Sequence, residues 1–254
     1  MTPIQRKKKI IDELQKKGRV EILELVEMLD VSAMTIRRDL DELEKHKKLI
    51  RTHGGATLAQ TIMTEVSYNQ KLSEARSQKI EIAEKAVSLI KEGMKVFLDS
   101  GTTNLEIARQ LKSRQPLTIV TNDIIIAAEL MDSEHELVLL GGIVQKNVGA
   151  VFGVTADEML RNIHLDIAFI GAHAVHAKLG IMSTTFEKAS LKKRVIDVSE
   201  LVYLAVDSSK FEKKAFAKVA EVDSITGIIT DHFLPEDIKE LYKEYSIFIE
   251  GVSS

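Results

Sequence analysis

Apolar residues recur at helical spacing through the first 45 residues of the chain. They form three stripes, which consist of Ile10, Ile11 and Leu14, then Ile22, Leu25, Val26 and Leu29, then Ile36, Leu40 and Leu43. The spacing predicts three short amphipathic helices, the first of which starts at Thr2-Pro3 and ends at Gly18. A tight turn at Asp30-Val31 separates the last two helices. Three short helices with such a turn predict a helix-turn-helix.

The third predicted helix carries two adjacent arginines on its outer face. Ser32 is a favourable N-cap, so this helix is expected to begin near residue 33. A rotation of about 100° per residue places Met34 and Arg38 nearly opposite the apolar stripe, with Arg37 and Thr35 on its two flanks. Arginine can bind a guanine edge or a phosphate through two hydrogen bonds. An ordinary amphipathic helix with a solvated basic face has the same pattern, but the two preceding helices favour insertion into the major groove of DNA.

A short extended arm and a local excess of positive charge support this interpretation. Residues 49–56 contain a Gly54-Gly55 turn, which predicts the hairpin of a winged variant. The chain has a net charge of −3, yet residues 1–56 contain 13 lysines and arginines against 10 acidic residues. This asymmetry predicts that the surface attracted to phosphates lies on the N-terminal domain.

Beyond residue 75 the pattern alternates short β-branched runs with helical stretches. Residues 58–75 are mixed polar with little periodicity, which predicts a linker between domains at 1–57 and 76–254. Seven apolar runs have the composition of buried strands, at 96–98, 117–120, 137–140, 167–170, 202–206, 227–230 and 247–249. Strands that alternate with helices predict an α/β domain whose parallel sheet is covered on both faces.

Polar motifs follow several of the predicted strands, and ligands bind beyond the carboxyl ends of strands in such sheets. Asp99-Ser100-Gly101-Thr102-Thr103-Asn104 joins a strand to a helix, where N–H groups and hydroxyls can hold a phosphate. A plain helix cap has the same character. Three further strand ends carry Thr121-Asn122, Gly141-Gly142 and Asp207-Ser208-Ser209-Lys210. Their convergence on one edge favours an anion site in which Lys210 meets the anion.

Length and composition limit the number of domains and the cellular compartment that we expect for the protein. Its 254 residues can form two domains with their own cores. The absence of cysteine excludes a disulfide framework and thiolate chemistry, and it fits a reducing compartment. No apolar run approaches the ~20 residues that span a bilayer, and the N-terminus does not lead into a signal-peptide core. We therefore expect a soluble, cytoplasmic protein.

Two N-terminal stretches resemble the DeoR family of bacterial transcription regulators. Residues 31–43 are similar to the family's recognition segment, roughly vS-x-x-T-[IV]-R-R-D-L-x-x-L-E, and residues 51–56 are similar to its R-x-H-G-G-A. Lys47 departs from the family, which usually has glycine there. The resemblance implies a winged helix-turn-helix that contacts operator DNA through Ser32, Met34, Thr35, Arg37, Arg38, Arg51, His53 and Gly54.

Residues 76–250 resemble the effector-binding domain of the same family, which shares its fold with ribose-5-phosphate isomerase. The matching motifs are D-x-G-[ST]-T at Asp99, T-N at Thr121, G-G at Gly141, l-x-G ending at Gly153 and D-S-S-K at Asp207. The resemblance implies a sugar-phosphate inducer, no cofactor and a homodimer or homotetramer. The implied effector contacts are Asp99, Ser100, Gly101, Thr102, Thr103, Thr121, Asn122, Gly141, Gly142, His173, Glu187 and Lys210.

A sugar-phosphate isomerase is the main alternative for the second domain. Enolisation needs a carboxylate near the C–H proton and a donor for the enediolate. Where the isomerases carry D-G-A-D-E, this chain has residues 171–176, Gly-Ala-His-Ala-Val-His. Glu187 aligns with an acidic residue of the enzymes but stands alone, so it is expected to contact a sugar hydroxyl or to cap the helix near Phe186. His173 and His176 lack a third ligand, so they favour a changed sugar contact or ordinary loop placement over a metal site.

The sequence therefore predicts a repressor of a sugar-metabolism operon that a phosphorylated sugar releases from its operator. Release requires that the ligand prefer a conformation in which two recognition helices no longer match the operator spacing. Three other functions fit parts of the pattern: an isomerase, a helix-turn-helix that serves only protein contacts, and an activator that binds the same DNA.

Overall fold

A computed structural model describes residues 2–17, 19–45, 48–52, 54–57, 68–243 and 248–251. The chain divides into two compact units, residues 1–64 and residues 65–254. Among the described residues, no helix has the length and apolar character needed to cross a membrane.

The first unit combines three helices with a small sheet. Its elements are α1 (Pro3–Lys17), β1 (Arg19–Glu21), α2 (Ile22–Leu29), α3 (Ala33–Lys45), β2 (Ile50–Thr52) and β3 (Gly55–Thr57). The strands pair antiparallel in the order β1-β3-β2, so the arm after α3 is the wing of a winged helix-turn-helix. The three predicted apolar stripes meet in one core, where the fully buried side chains include Ile10, Leu25, Ile36 and Leu40.

Two backbone features set the geometry of this unit. Asp30 has a φ of +51°, in the left-handed region, which ends α2 and begins the turn into α3. In β3, a Cβ at Gly55 would lie 2.0 Å from the carbonyl oxygen of Val20 in β1. Only glycine therefore permits β1 and β3 to pair so closely at this point.

The second unit is built on a parallel sheet that has seven strands among the described residues. The strands are β4 (Lys95–Leu98), β5 (Thr118–Thr121), β6 (Glu136–Leu139), β9 (Leu165–Ile170), β12 (Ser199–Ala205), β14 (Gly227–Thr230) and β15 (Phe248–Gly251). They lie in the order β15-β14-β12-β9-β4-β5-β6, and every neighbouring pair is parallel. Each predicted strand overlaps one of them. The order reverses between β4 and β9, so a ligand site is expected beyond the ends of these two strands.

Helices cover both faces of this sheet, as predicted. They are α4 (Tyr68–Ser73), α5 (Arg76–Ser88), α6 (Thr102–Leu111), α7 (Ile124–Leu130), α8 (Val154–Arg161), α9 (Phe186–Asp197) and α10 (Glu236–Lys243). In β4, Val96 and Leu98 pack with side chains of α4 to α7, whereas Phe97 packs with side chains of α8 to α10. Successive strand residues point to opposite faces, which explains why such runs are apolar throughout.

The structure differs from the sequence prediction in two places. Part of the predicted linker, Tyr68–Ser73, forms α4, because the Tyr68 ring is buried in the core beside α5 and α6. Residues 58–67 of that linker lie outside the described residues. Short strands outside the main sheet were also not predicted, namely β1 in the first unit and, in the second, β7 (Ile143–Gln145), β8 (Ala150–Phe152), β10 (Ala174–His176), β11 (Gly180–Ser183) and β13 (Ala217–Ala220). They have three or four residues each, too few to show a period.

Candidate functional site

The N-terminus of α3 is capped as the sequence predicted. The Ser32 hydroxyl accepts a hydrogen bond from the Thr35 backbone N–H at 3.3 Å, and the two hydroxyl oxygens lie 2.9 Å apart. The cap ties the hydroxyls of Ser32 and Thr35 to each other at the positive end of the helix dipole. Both hydroxyls therefore lie at the end of the helix that attracts anions.

The outward face of α3 carries the predicted basic pair. Ile36 is fully buried, whereas Arg37 and Arg38 are exposed and Met34 is 72% exposed. Neither arginine forms an ion pair with a described residue. Both guanidinium groups are therefore available for a partner outside the chain.

The aspartate that follows these arginines has a structural role that sequence analysis missed. Asp39 is 3% exposed and accepts two hydrogen bonds from the Arg6 guanidinium, through Nε and through a second nitrogen at 3.0 Å. The Asp39 carboxylate raises the pKa of Arg6. This buried ion pair fixes α3 against α1 and therefore fixes the direction in which the outer face of α3 points.

The predicted DNA contacts of the wing differ from those of α3, because Arg51 already has partners within the chain. The Arg51 Nε lies 3.3 Å from the Asp41 carboxylate, and the backbone N–H of Arg51 donates to the Glu44 carboxylate at 2.7 Å. Arg51 therefore lies against α3. Gly54 is exposed, with a φ of +121° that favours glycine at the turn. His53 and Lys47 lie outside the described residues.

A polar cleft of about 130 Å³ lies beyond the ends of β4, β9 and β12 in the second unit. This is the position where the strand order reverses. Of the predicted effector contacts, six line the cleft: Ser100, Gly101, Thr102, Thr103, His173 and Lys210. Three lysines that the sequence did not predict also line the cleft, namely Lys71, Lys79 and Lys192, and so does Asn104 of the predicted loop after β4.

The loop from β4 to α6 is held by residues at the end of β5. Gly101 has a φ of +144°, which favours glycine, and its N–H donates to Asp123 at 3.1 Å. The Ser100 N–H donates to Asn122 Oδ1 at 2.9 Å. These two N–H groups are occupied, so the first backbone donors open to an anion are those of Thr102 and Thr103, at the start of α6.

Thr121 and Asn122, predicted as effector contacts, do not line the cleft. The Thr121 hydroxyl donates to the Leu98 carbonyl at 2.7 Å, which joins β5 to β4. Both side chains are fully buried. The structure therefore places them as supports of the loop, behind the residues that face a ligand.

Lysine side chains supply the positive charge of the cleft. Lys79 is 5% exposed, and its ammonium donates to the Lys71 carbonyl and, at 2.5 Å, to the Glu74 carbonyl. Burial lowers the pKa of Lys79. Lys192 forms a buried ion pair with Asp99, whereas Lys210 is more exposed and lies 3.9 Å from Asp207. The combination of ammonium groups with a helix N-terminus suits an anionic ligand.

Three other predicted effector contacts do not line the cleft. Asp99 lies behind the lining residues, where Oδ2 accepts from the Gly171 N–H at 2.8 Å and from Lys192. Gly141 and Gly142 form the turn after β6, and a Cβ at Gly142 would lie 2.3 Å from the Phe152 carbonyl oxygen. Gly142 therefore permits the close approach of β7 and β8, whereas a Cβ at Gly141 would meet the Thr155 side chain of α8 at 3.2 Å.

Glu187 lies two residues after Thr185, which is the N-cap of α9. It is exposed in the first turn of α9, where hydrogen bonds from its own N–H and from Thr185 lower the pKa of the carboxyl. Glu187 does not line the cleft, so its contact with a sugar hydroxyl stays a prediction.

His173, in the loop after β9, and His176, at the end of β10, lie in different surroundings. His173 lines the cleft, and its N–H donates to the Met182 carbonyl at 3.0 Å. His176 Nε2 lies 3.7 Å from the Glu212 carboxylate, and Nδ1 accepts from the Lys178 N–H. In the described part of the chain, no three His, Cys, Asp or Glu side chains are placed to share a metal ion.

Asp123 makes the stability of the second unit depend on pH. It is fully buried, accepts from the Ile125 N–H at 2.7 Å, and burial raises the pKa of its carboxyl to about 6. Because the folded pKa exceeds the unfolded one, the free energy of unfolding falls as pH rises through this range. We expect wild type to lose about 2 kcal/mol more than Asp123→Asn between about pH 4.5 and 7.5. Urea unfolding at both pH values measures this difference. An equal change in the free energy of unfolding for wild type and Asp123→Asn would contradict it.

The two units together define a class of protein. The first is a winged helix-turn-helix with an outward basic face, and the second is an α/β unit with an anion cleft. A protein with these two units is a ligand-responsive DNA-binding regulator. Residues 6–61 match the DeoR-like helix-turn-helix domain, and residues 74–232 match the DeoR C terminal sensor domain. The chain belongs to the DeoR family. It is a transcriptional regulator and not an enzyme.

Curated relatives are similar over almost their whole length. An uncharacterized HTH-type transcriptional regulator from Haemophilus influenzae is 36% identical, over 97% of this chain and 96% of the relative. The glycerol-3-phosphate regulon repressor of Escherichia coli is 30% identical, over 98% of this chain and 99% of the relative. Among solved structures, ribose 5-phosphate isomerase A from Methanocaldococcus jannaschii aligns with a TM-score of 0.42 and 23% identity over 56% of each chain.

Proposed function

We propose that this regulator is a cytoplasmic repressor of a sugar-metabolism operon and that a phosphorylated sugar releases it from DNA. The observation that carries the proposal is the cleft, which is lined by the open N-terminus of α6 together with Lys79 and Lys210. Relatives named as the lactose phosphotransferase system repressor and the glycerol-3-phosphate regulon repressor support the repressor role.

On the DNA side, α3 enters the major groove with its outer face toward the bases. Arg37 and Arg38 are the proposed bidentate donors, and Ser32 and Thr35 bind a phosphate at the helix N-terminus. Met34 contacts an apolar base edge, and the wing contacts the sugar-phosphate backbone of the DNA through the turn at Gly54. Arg51 then acts mainly by bracing the wing against α3.

On the effector side, the phosphate binds at the first turn of α6. The Thr102 and Thr103 N–H groups and hydroxyls donate to its oxygens, and Lys79 and Lys210 supply the positive charge. His173 also lines the cleft, and it is the proposed contact to the sugar. The site needs no cofactor, because the response depends on binding alone.

The regulator is proposed to work as a homodimer or homotetramer. Two recognition helices that match two half-sites gain affinity together, and this gain is lost when their spacing changes. The effector therefore releases DNA by preferring a state in which the two helices no longer match the operator.

Thermal-shift screening against phosphorylated sugars tests the effector assignment. A matching sugar phosphate at about 100 times its dissociation constant should add about 2.7 kcal/mol to the free energy of unfolding. The unphosphorylated sugar should add almost nothing at the same concentration. A panel in which no phosphorylated sugar stabilises the protein would argue against the proposed effector class.

Thr102→Ala and Lys210→Met are expected to give a regulator that binds operator DNA but responds weakly to inducer. Each change removes a donor to the phosphate, which should lower the affinity for the sugar phosphate by about 10-fold or more. Gel-shift titration with inducer measures the response. Lys112→Met, a half-exposed lysine outside the cleft, is the control. If both cleft variants release DNA as wild type does, the phosphate does not bind at α6.

A further inference from the structure

The short helix α4 is the first described element of the second unit, and the end of this helix forms part of the cleft wall. The unit consists of residues 65–254, and α4 covers Tyr68–Ser73. Lys71, Glu74 and Ala75 all line the cleft. The DNA-binding unit precedes α4 in the chain, so a change in α4 occurs where the chain enters the second unit.

An ammonium group of α5 holds the end of α4 in place. Lys79 donates from Nζ to the Lys71 carbonyl and, at 2.5 Å, to the Glu74 carbonyl. Carbonyls at the end of a helix have no N–H donor within that helix, so another group must supply the hydrogen bonds. Lys79 is 5% exposed, so water has little access to these bonds. The ammonium therefore acts as the C-terminal cap of α4.

The turn between α4 and α5 has a strained backbone. Ala75 has a φ of +50°, in the left-handed region that residues other than glycine rarely adopt. Such a conformation persists only where the surrounding contacts hold it. α4 has six residues, too few to persist as a helix without contacts to the rest of the unit. The Tyr68 ring anchors its first turn in the core, so loss of the bonds to Lys79 should loosen its last turn.

An anion in the cleft competes for the same ammonium. α4, α5 and α6 cover the same face of the sheet, and both Lys79 and the start of α6 line the cleft. A bond between an ammonium and a phosphate joins two charged groups, so it is stronger than a bond between an ammonium and a neutral carbonyl. As the ammonium moves toward the phosphate, its bonds to the two carbonyls lengthen and weaken.

We propose that Lys79 is the switch residue of the cleft. An anion that binds at the start of α6 draws the ammonium away from the Lys71 and Glu74 carbonyls and releases the last turn of α4. The binding signal then leaves the cleft at the point where the chain arrives from the DNA-binding unit. This inference rests on the proposed function, because it assumes that the anion binds at the start of α6.

Hydrogen exchange of the full chain with inorganic phosphate tests the release directly. Phosphate at a concentration that saturates the thermal shift is compared with potassium chloride at the same ionic strength. With phosphate, the start of α6 should exchange more slowly, whereas residues 71–75 should exchange about 10-fold faster, because a hydrogen bond to a charged group is lost. If residues 71–75 exchange more slowly or at the same rate while α6 is protected, the switch is overturned and the proposed function stands. If phosphate changes neither segment, both are overturned.

Lys79→Met separates a switch from a simple phosphate contact. The variant removes the cap of α4 without any ligand, so it should bind operator DNA about 10-fold more weakly than wild type in the absence of inducer. Lys91→Met, at an exposed lysine outside the cleft, is the matched control and should bind operator DNA as wild type does. Wild-type operator affinity in Lys79→Met would mean that Lys79 only contacts phosphate, which overturns the switch. If Lys79→Met does not fold, the exchange of residues 71–75 in wild type decides the question.

Discussion

Asp39→Ala is expected to destabilise the first unit by about 3 to 5 kcal/mol, because it leaves the Arg6 guanidinium buried without its partner. Arg6 is 9% exposed and Asp39 is 3% exposed, so water cannot replace the lost carboxylate. The ion pair joins α1 to α3, and its loss should open both helices together. Hydrogen exchange of α1 and α3 peptides in the full chain measures the effect.

Two further variants show whether burial is the cause. Glu42→Ala removes the carboxylate that lies 2.6 Å from Lys7, but Glu42 is half exposed, so the change should cost less than about 1 kcal/mol. The double variant Arg6→Met with Asp39→Leu removes both charges and should recover most of the stability. If Asp39→Ala costs no more than Glu42→Ala, the ion pair does not hold the helices together.

Arg37→Ala and Arg38→Ala are each expected to lower the affinity for operator DNA by about 1 to 3 kcal/mol. Both side chains are exposed on the outer face of α3 and form no ion pair with a described residue, so their loss should leave the fold intact. A residue that contacts a base should relax the sequence preference at one position, whereas a residue that contacts phosphate should weaken all sequences and lower the salt slope by about one. Gel-shift titration at two salt concentrations separates these cases.

The matched control for this test is Arg114→Ala. Arg114 is an exposed arginine of the second unit and carries the same charge, but it has no place in the proposed interface. Its loss should leave operator affinity within experimental error. Wild-type affinity in both α3 variants would mean that this face does not meet the DNA.

The outer face of α3 could be predicted from sequence, because it depends only on the spacing of residues within one helix. The spacing of Ile36, Leu40 and Leu43 fixes which side of the helix is buried, and therefore which side carries the arginines. The parallel sheet could be predicted for a similar reason. Each central strand is buried on both faces, so it appears as a short unbroken apolar run.

The rest of the site could not be predicted, because it depends on contacts between distant parts of the chain. Lys79 and Lys192 lie inside helices, where a lysine usually marks an exposed position, and only the packing of α5 and α9 brings them to the cleft. The Arg6–Asp39 pair joins residues 33 positions apart. Gly142 shows the converse case, since its motif predicted ligand contact whereas its backbone lies against the Phe152 carbonyl of β8.

The central claim is that occupancy of the cleft releases α3 from DNA. It is tested most directly by a gel-shift titration of the full chain on its operator, using the phosphorylated sugar that stabilises the protein most. Wild type should leave the DNA over the concentration range that saturates the thermal shift, and Lys210→Met should remain bound. Wild type that stays on the operator when the cleft is saturated would contradict the account.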